Sequence, residues 1–203
     1  MQIINEENIF FVSFLLVFLT GWILRAYFSR NSPDYKKSLS ELKRQPLEHE
    51  TPLSLGLLSL FGIILLVGVI IYAFYQSVIP WLQLPVPALA RWVGVIMGVI
   101  CLPLIGWVQS ALGESFSKTL TIQEGHELVT TGPYSRIRHP IYSVHTFWFL
   151  SWFLISTNLL FAVSWILWII YLQVRIPQEE KMLIEQFGNE YEEYMKRTGR
   201  LFP

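Results

Sequence analysis

Apolar residues in this chain are gathered into long runs, separated by short polar segments. The first run, Ile9 to Phe28, matches the roughly 20 residues that an α-helix needs to cross a bilayer core. A second span is predicted from about Leu53 to Tyr75, and a third from Trp92 to Gly113 with a kink at Pro103. The pattern therefore predicts three membrane-spanning helices in the first half of the chain.

A fourth apolar run, Ile141 to Val174, contains 34 residues without an Asp, Glu, Lys or Arg. As one helix it would be roughly 51 Å long, which exceeds the thickness of a bilayer. We therefore predict a tight helical hairpin of two segments, about 15–16 residues each, that turns at Ser156–Asn158. Segments this short cross a bilayer only where it thins, or they stay partly embedded.

The composition also indicates a membrane protein. Of the 203 residues, 53% are hydrophobic and 15% are charged, whereas soluble domains carry about 25% charged residues. The formal net charge is zero, so no attraction to nucleic acid is indicated. A single cysteine, Cys101, excludes an intrachain disulfide and a cysteine-based metal site. The opening MQIINEEN lacks the basic region of a cleavable signal, so the first run is expected to remain in the mature protein.

Basic residues are distributed unevenly about these predicted spans. Of the fifteen Lys and Arg, six lie between Arg25 and Arg44, three between Lys118 and Arg138, and five from Arg175 onward. Arg91 alone falls on the other side. The positive-inside rule then predicts an outside N-terminus and a cytoplasmic C-terminus. Arg25, at the end of the first span, is expected to snorkel towards the interface.

Two polar segments flank the predicted hairpin. The segment from Ser115 to Pro140 is loop-like, and Pro140 suits the first turn of a helix. After the hairpin, the pattern predicts a helix whose first turn holds Pro177, with Glu179 and Glu180 solvated there, and a break at Gly188. Because a hairpin brings its two ends together, both segments are expected at one mouth of the bundle.

The polar side chains in these segments also have ordinary explanations. Arg136 and Arg138 could act only as topology determinants, and His139 could be a helix cap or a surface residue. His139 and His145 are six residues apart without a carboxylate at ligand spacing, so no metal site is predicted. The sequence contains no GxGxxG, P-loop, GxSxG or HExxH motif.

Two sequence blocks flank the hairpin in order: GHELVTTGPYSRIRHPIY and RIPQEEKMLIEQFGNEYEEYMKRTGRLFP. They resemble the isoprenylcysteine carboxyl methyltransferase family in its short prokaryotic form, and the wider set of phospholipid methyltransferase-like membrane enzymes. The first block matches the family's Arg-His-Pro-x-Tyr element and the second its Arg-x-x-x-Glu-Glu element. The resemblance covers residues 112–203, which form the predicted catalytic half, while residues 1–111 hold the three spans that the apolar runs predict. One departure is Val144, where relatives often have glycine.

The resemblance implies an all-α, polytopic membrane enzyme of about five transmembrane helices, with a helical hairpin, a cytoplasmic loop and a C-terminal amphipathic helix. Its implied cofactor is S-adenosylmethionine, with contacts assigned to Thr121, His126, Glu127, Leu128, Val129, Tyr134, His139, Pro140, Ile141, Tyr142 and Glu179. Arg175 is assigned to the substrate carboxylate, and Arg175 and Glu179 to catalysis. The implied substrate is lipidic or prenylated and enters a cytoplasmic site from the bilayer, among membrane lipids, without metal or nucleic acid.

Other functions remain open at this point. One alternative is an N-methyltransferase that acts on an amino-phospholipid. Its amine must be deprotonated and would not bind to the paired N–H donors of an arginine, so Arg175 favours a carboxylate substrate. A non-catalytic membrane protein or a small transporter is the other alternative. A transporter would want ionisable groups inside its spans, and the sequence has few.

Overall fold

The computed structural model describes residues 5–30, 51–75, 78–112 and 128–203, and its regular structure in these ranges is helical apart from two isolated β-bridges. The α-helices in this part of the chain are α1 (Glu6–Arg30), α2 (Pro52–Ile70), α3 (Ala88–Leu112), α4 (Pro140–Ser156), α5 (Leu159–Phe187) and α6 (Asn189–Arg197). A π-helical turn at Ile71–Tyr75 extends α2, and 3-10 turns lie at Pro80–Leu82 and Gly132–Ser135.

Four helical stretches are long and apolar enough to cross a membrane: Glu6–Phe28, Pro52–Tyr75, Ala88–Leu112 and Leu159–Phe187. At 17 residues, α4 spans roughly 26 Å and lies at the lower end of crossing length. The protein is therefore an all-α polytopic membrane protein, as predicted. Pro103 lies inside α3, which continues through it, and the kink stays a prediction.

The predicted hairpin is confirmed, with its turn between α4 and α5. Thr157 adopts a left-handed φ of 57°, which reverses the chain, and the Asn158 side chain caps α5 by accepting from the Leu160 N–H at 2.9 Å. The Thr157 hydroxyl also donates to the Gln83 side chain at 2.7 Å. The turn is thereby attached to the connection between α2 and α3.

Pro177 does not begin a new helix, so that part of the sequence interpretation is wrong. α5 runs without interruption through Pro177 to Phe187. Its neighbours Arg175, Ile176 and Glu180 are 5%, 2% and 4% exposed, and this tertiary packing outweighs the backbone hydrogen bond that proline removes. Glu180 is consequently a buried mid-helix residue and not part of a solvated first turn. The predicted break at Gly188 is confirmed, with φ of 52°.

Glycines let α1, α3 and α4 approach closely. A Cβ atom at Gly21 of α1 would lie 1.9 Å from the Trp148 ring of α4, and one at Gly98 of α3 would lie 2.7 Å from Val17 of α1. Trp148 is fully buried in an aromatic core that also includes Trp152. Glycine therefore allows α1 to pack closely against both α4 and α3, as is typical of membrane bundles.

Polar contacts define two opposite ends of the bundle. At one end, Glu7 of α1 accepts two hydrogen bonds from Arg91 of α3, at 2.5 and 3.0 Å. At the other end, Gln178 of α5 donates to Thr51 at the start of α2, at 2.8 Å. The start of α4 and the second half of α5 lie at this second end, where the two polar blocks of the sequence meet.

Candidate active site

The polar cluster forms where the first turn of α4 passes the second half of α5. Arg175 and Glu179 lie one turn apart on the same face of α5. Tyr142, in the first turn of α4, donates its hydroxyl hydrogen to Glu179 Oε2 at 2.6 Å. This contact joins residues 37 positions apart and confirms the predicted convergence of the two blocks.

The His139 ring lies between two carboxylates of α5. Its Nδ1 is 3.5 Å from Glu179 Oε1 and its Nε2 is 3.4 Å from Glu180 Oε1, and the ring stacks on Tyr142. Burial disfavours the charged ring, but hydrogen bonds and the charges of Glu179 and Glu180 outweigh it and raise the pKa of His139. His139 is therefore a buried residue whose ring faces both carboxylates, and not a surface residue.

Arg175 is buried beside Glu179, with 3.9 Å between its Nε and Glu179 Oε2. It also marks the end of the uncharged run, so its guanidinium lies where the apolar helices give way to the polar cluster. Arginine presents two parallel N–H donors that match a carboxylate. The predicted pair Arg175 and Glu179 is thus brought together with Tyr142 and His139.

Glu180 is a residue of this cluster that the sequence analysis did not assign. Its carboxylate accepts from Arg138 Nε at 3.0 Å and from Arg200 at 2.5 Å. Arg138 also donates to the backbone oxygens of Met195 and Thr198, at the end of α6. Glu180 therefore anchors the segment after α6 to the start of α4. The sequence held a sign of this role, because Glu180 belongs to an acidic pair in the second block and Arg138 lies in the first block.

Residues 199–201 pair with the segment that leads into α4. The Arg138 N–H donates to the Gly199 oxygen at 2.8 Å, and the Gly199 N–H donates to the Arg136 oxygen at 2.9 Å. The Ser143 hydroxyl, in the first turn of α4, donates to the Leu201 oxygen at 2.6 Å. Through these bonds the backbone of residues 199–201 covers one side of the polar cluster.

Two tyrosine hydroxyls near Glu179 are buried without a hydrogen-bond partner among the residues that the structure describes. They belong to Tyr134 and Tyr191, and the charge of Glu179 acts on both. Burial raises the pKa of Tyr134, so its hydroxyl keeps the proton. A buried donor without a partner costs free energy, which a polar ligand at this site would recover.

The remaining predicted cofactor residues lie at the edge of the described structure or outside it. Thr121, His126 and Glu127 lie outside the described residues. Leu128 and Val129 are half-buried, and Pro140 and Ile141 form the first turn of α4. Their contacts with a cofactor stay predictions. Within the described ranges, no group of three or more His, Cys, Asp or Glu side chains could hold a metal ion.

An apolar cavity of about 430 Å³ lies between α3 and α4. Val144, Phe147 and Leu201 are among its lining residues. Val144 is two positions after Tyr142, which on a helix is roughly 200° around the axis. The cavity is thus on the face of α4 opposite the hydroxyl of Tyr142, and it does not extend the polar cluster along α5.

Comparison with known proteins matches the part of the chain that carries this site. A model of the isoprenylcysteine carboxyl methyltransferase family matches residues 93–185. A probable protein-S-isoprenylcysteine O-methyltransferase of Oryza sativa subsp. indica is 34% identical over 116 residues, which cover 55% of this chain and 60% of the relative. The Saccharomyces cerevisiae protein-S-isoprenylcysteine O-methyltransferase is 41% identical over 91 residues, covering 43% of this chain and 38% of the relative.

The match to solved structures extends to the fold. The eukaryotic intramembrane Ras methyltransferase ICMT aligns with a TM-score of 0.60 and 22% identity, over 71% of this chain and 52% of that chain. The chain spans about half the length of the curated relatives that it matches. The shared region includes α4 and most of α5, where Tyr142 and Glu179 meet.

Proposed function

Residues 93–185 match the model of the isoprenylcysteine carboxyl methyltransferase family, and from this match we propose that the chain is an integral-membrane, S-adenosylmethionine-dependent carboxyl methyltransferase of that family. Its proposed substrate is an isoprenylcysteine or another lipid-linked carboxylate. One observation carries the proposal. Arg175, buried at the boundary of the apolar helices, lies one turn from Glu179, which Tyr142 and His139 hold from the other arm of the hairpin.

The described residues fit the proposed methyl donor. The Glu179 carboxylate can accept from an ammonium group, and the aromatic faces of Tyr134 and Tyr142 can attract a positive sulfur. The buried hydroxyl of Tyr134 offers a donor that has no partner among the described residues. When bound, S-adenosylmethionine supplies a methyl group on a positive sulfur, which keeps the bonding electron pair as the methyl passes to the carboxylate oxygen.

The residues of this chain contribute positioning. The Arg175 fork would hold both oxygens of a carboxylate and present one of them in line with the transferable methyl. Tyr142 and His139 fix the Glu179 carboxylate, so that it need not reorganise when ligand binds. A carboxylate needs no base to become a nucleophile, whereas an ammonium substrate would meet the positive charge of Arg175. The geometry thus favours O-methylation over N-methylation.

Orientation in the membrane forms part of this proposal. The site lies at the end of the bundle where α2 starts. In the sequence, nine of the fifteen Lys and Arg residues lie at or after the C-terminal ends of α1 and α3, and five more lie from Arg175 onward. In a Cys101→Ala background, Gln186→Cys should react with an impermeant thiol reagent only from the cytoplasmic side. Val78→Cys, on the connection between α2 and α3, should react only from outside. The reverse pattern would overturn the proposed orientation, because these positions lie at opposite ends.

Ligand binding tests the proposed activity directly. Purified protein in detergent is expected to bind S-adenosylmethionine and S-adenosylhomocysteine, and each should raise the melting temperature by linkage. His139→Ala and Tyr142→Phe should weaken that binding, because each removes a contact that holds Glu179. Lys181→Gln is the matched control, since Lys181 is an exposed cation on α5. Well-folded protein that binds neither nucleotide and methylates no prenylcysteine would rule the proposal out.

A further inference from the structure

Arg25 does not snorkel towards the interface, contrary to expectation. Its side chain turns into the bundle, with Nη1 3.1 Å from His145 Nε2 on α4. His145 Nδ1 is 2.7 Å from the Ile141 backbone oxygen. A carbonyl only accepts and a guanidinium only donates, so Nδ1 carries the hydrogen and Nε2 the lone pair. The His145 ring is therefore neutral, and Arg25 keeps its full positive charge.

Within the described ranges, no carboxylate forms an ion pair with Arg25. The Trp22 ring also lies near Arg25, with its centroid 6.0 Å from the guanidinium carbon. Two other arginines of the bundle have anionic partners: Glu7 for Arg91 and Glu180 for Arg138. A cation kept at the edge of the membrane interior is costly unless an anion joins it. Arg25 is thus a charge for which the described protein supplies no counterion.

Arg25 lies next to the candidate active site. Its partner His145 follows Tyr142 by three residues, about 4.5 Å further into the bundle along α4. The His145 ring contacts Trp168, whose ring in turn contacts Tyr142. Tyr142 lies within electrostatic reach of Arg25 from α1 and of Arg175 from α5. Two cations on different helices therefore flank the tyrosine that holds Glu179.

We propose that Arg25 is a second binding cation for the substrate carboxylate, and that His145 is the positioning residue that aims it. This inference rests on the proposed function and assigns a second protein contact to the carboxylate of its substrate. Methylation removes the negative charge, so the ester product binds both arginines more weakly than the acid does.

The test compares an acid with its neutral analogue. The wild-type enzyme and each variant are assayed with N-acetyl-S-farnesylcysteine as substrate and with its carboxamide as competitive inhibitor. Wild type is expected to bind the acid more tightly than the amide. Arg25→Gln should raise the KM for the acid about tenfold, as expected for one charge-assisted hydrogen bond. Binding of the amide and the KM for S-adenosylmethionine should not change, so the preference for the acid should shrink by the same factor.

Substitutions at His145 separate positioning from packing. His145→Gln keeps an acceptor for Arg25 and is expected to retain most of the preference for the acid. His145→Leu removes the acceptor and should lose the preference as Arg25→Gln does. Lys181→Gln, which removes an exposed cation of α5, should leave the preference unchanged.

The results distinguish a failure of the proposed function from a failure of the role proposed for Arg25. If wild type neither binds S-adenosylmethionine nor methylates the acid, the proposed function itself fails. If wild type is active but Arg25→Gln keeps the full preference for the acid, the role of Arg25 is refuted while the proposed function stands. If Arg25→Gln raises only the KM for S-adenosylmethionine, the role of Arg25 in binding the carboxylate is also refuted. Should Arg25→Gln fail to fold, a retained preference in His145→Leu would refute it in the same way.

Discussion

Substitution of Arg175 by lysine is expected to lower turnover by about a hundredfold, with S-adenosylmethionine affinity within a few-fold of wild type. Lysine keeps the charge at this buried position but loses the two-pronged donor that aligns a carboxylate. In the proposed reaction the site contributes mainly by aligning the nucleophile, so the loss of this alignment should appear in kcat. Single-turnover methylation of N-acetyl-S-farnesylcysteine at saturating donor, together with calorimetry for the donor, would measure both quantities.

Glu179 provides the matched comparison for this experiment. Glu179→Gln should weaken donor binding itself, because the amide loses the charge that Tyr142 and His139 now hold in place. Both variants must elute and melt like wild type without ligand, since Arg175 and Glu179 also contact each other. Wild-type turnover in Arg175→Lys, with normal donor binding in Glu179→Gln, would show that these two roles are assigned wrongly.

Glu180→Ala is expected to destabilise the protein by about 3–5 kcal/mol, the usual cost of removing one partner of a buried ion pair. The loss leaves Arg138 and Arg200 without their shared carboxylate, and the Arg138 side chain is only 9% exposed. The bonds that fix residues 199–201 against the start of α4 should loosen at the same time. Denaturant unfolding in detergent would give the stability change, and faster trypsin cleavage after Arg197 would report the loosened segment.

Glu193→Ala is the control for this second experiment. Glu193 forms an ion pair with Lys196 on the exposed face of α6, and exposed pairs contribute little to stability. It should unfold like wild type. Equal unfolding curves for Glu180→Ala and Glu193→Ala would mean that the buried network does not hold the segment after α6.

The spans and the hairpin could be predicted because they depend on the length of apolar runs. The thickness of a bilayer fixes the length of a helix that crosses it. A run of 34 uncharged residues is longer than one crossing helix, so the turn at Ser156–Asn158 could be predicted from the length of the run. The convergence of the two polar blocks followed in turn from the hairpin, whereas the contact of Tyr142 with Glu179 is seen only in the structure. These predictions needed no knowledge of which helices are neighbours.

The errors arose where distant residues decide the outcome. Pro177 and the acidic pair after it are typical of a helix start, but burial of the adjacent Ile176 and Glu180 carries α5 through them. Arg25 was expected to reach the interface because it lies at the end of an apolar run. Its partner, His145, is 120 residues away, and the local sequence gives no sign of it. Local sequence rules describe only what a segment would do without its neighbours, and these side chains take their conformation from another helix.

The pairing of residues 199–201 with the start of α4 also has a consequence for biosynthesis. The bonds that make it join positions about sixty residues apart, so α5 and α6 must be synthesised before it can form. Local helices form early, and contacts between distant residues form late. A chain whose apolar helices are already in the bilayer therefore still lacks a closed polar cluster. We therefore expect the closed polar cluster to form after membrane insertion, as a separate folding step.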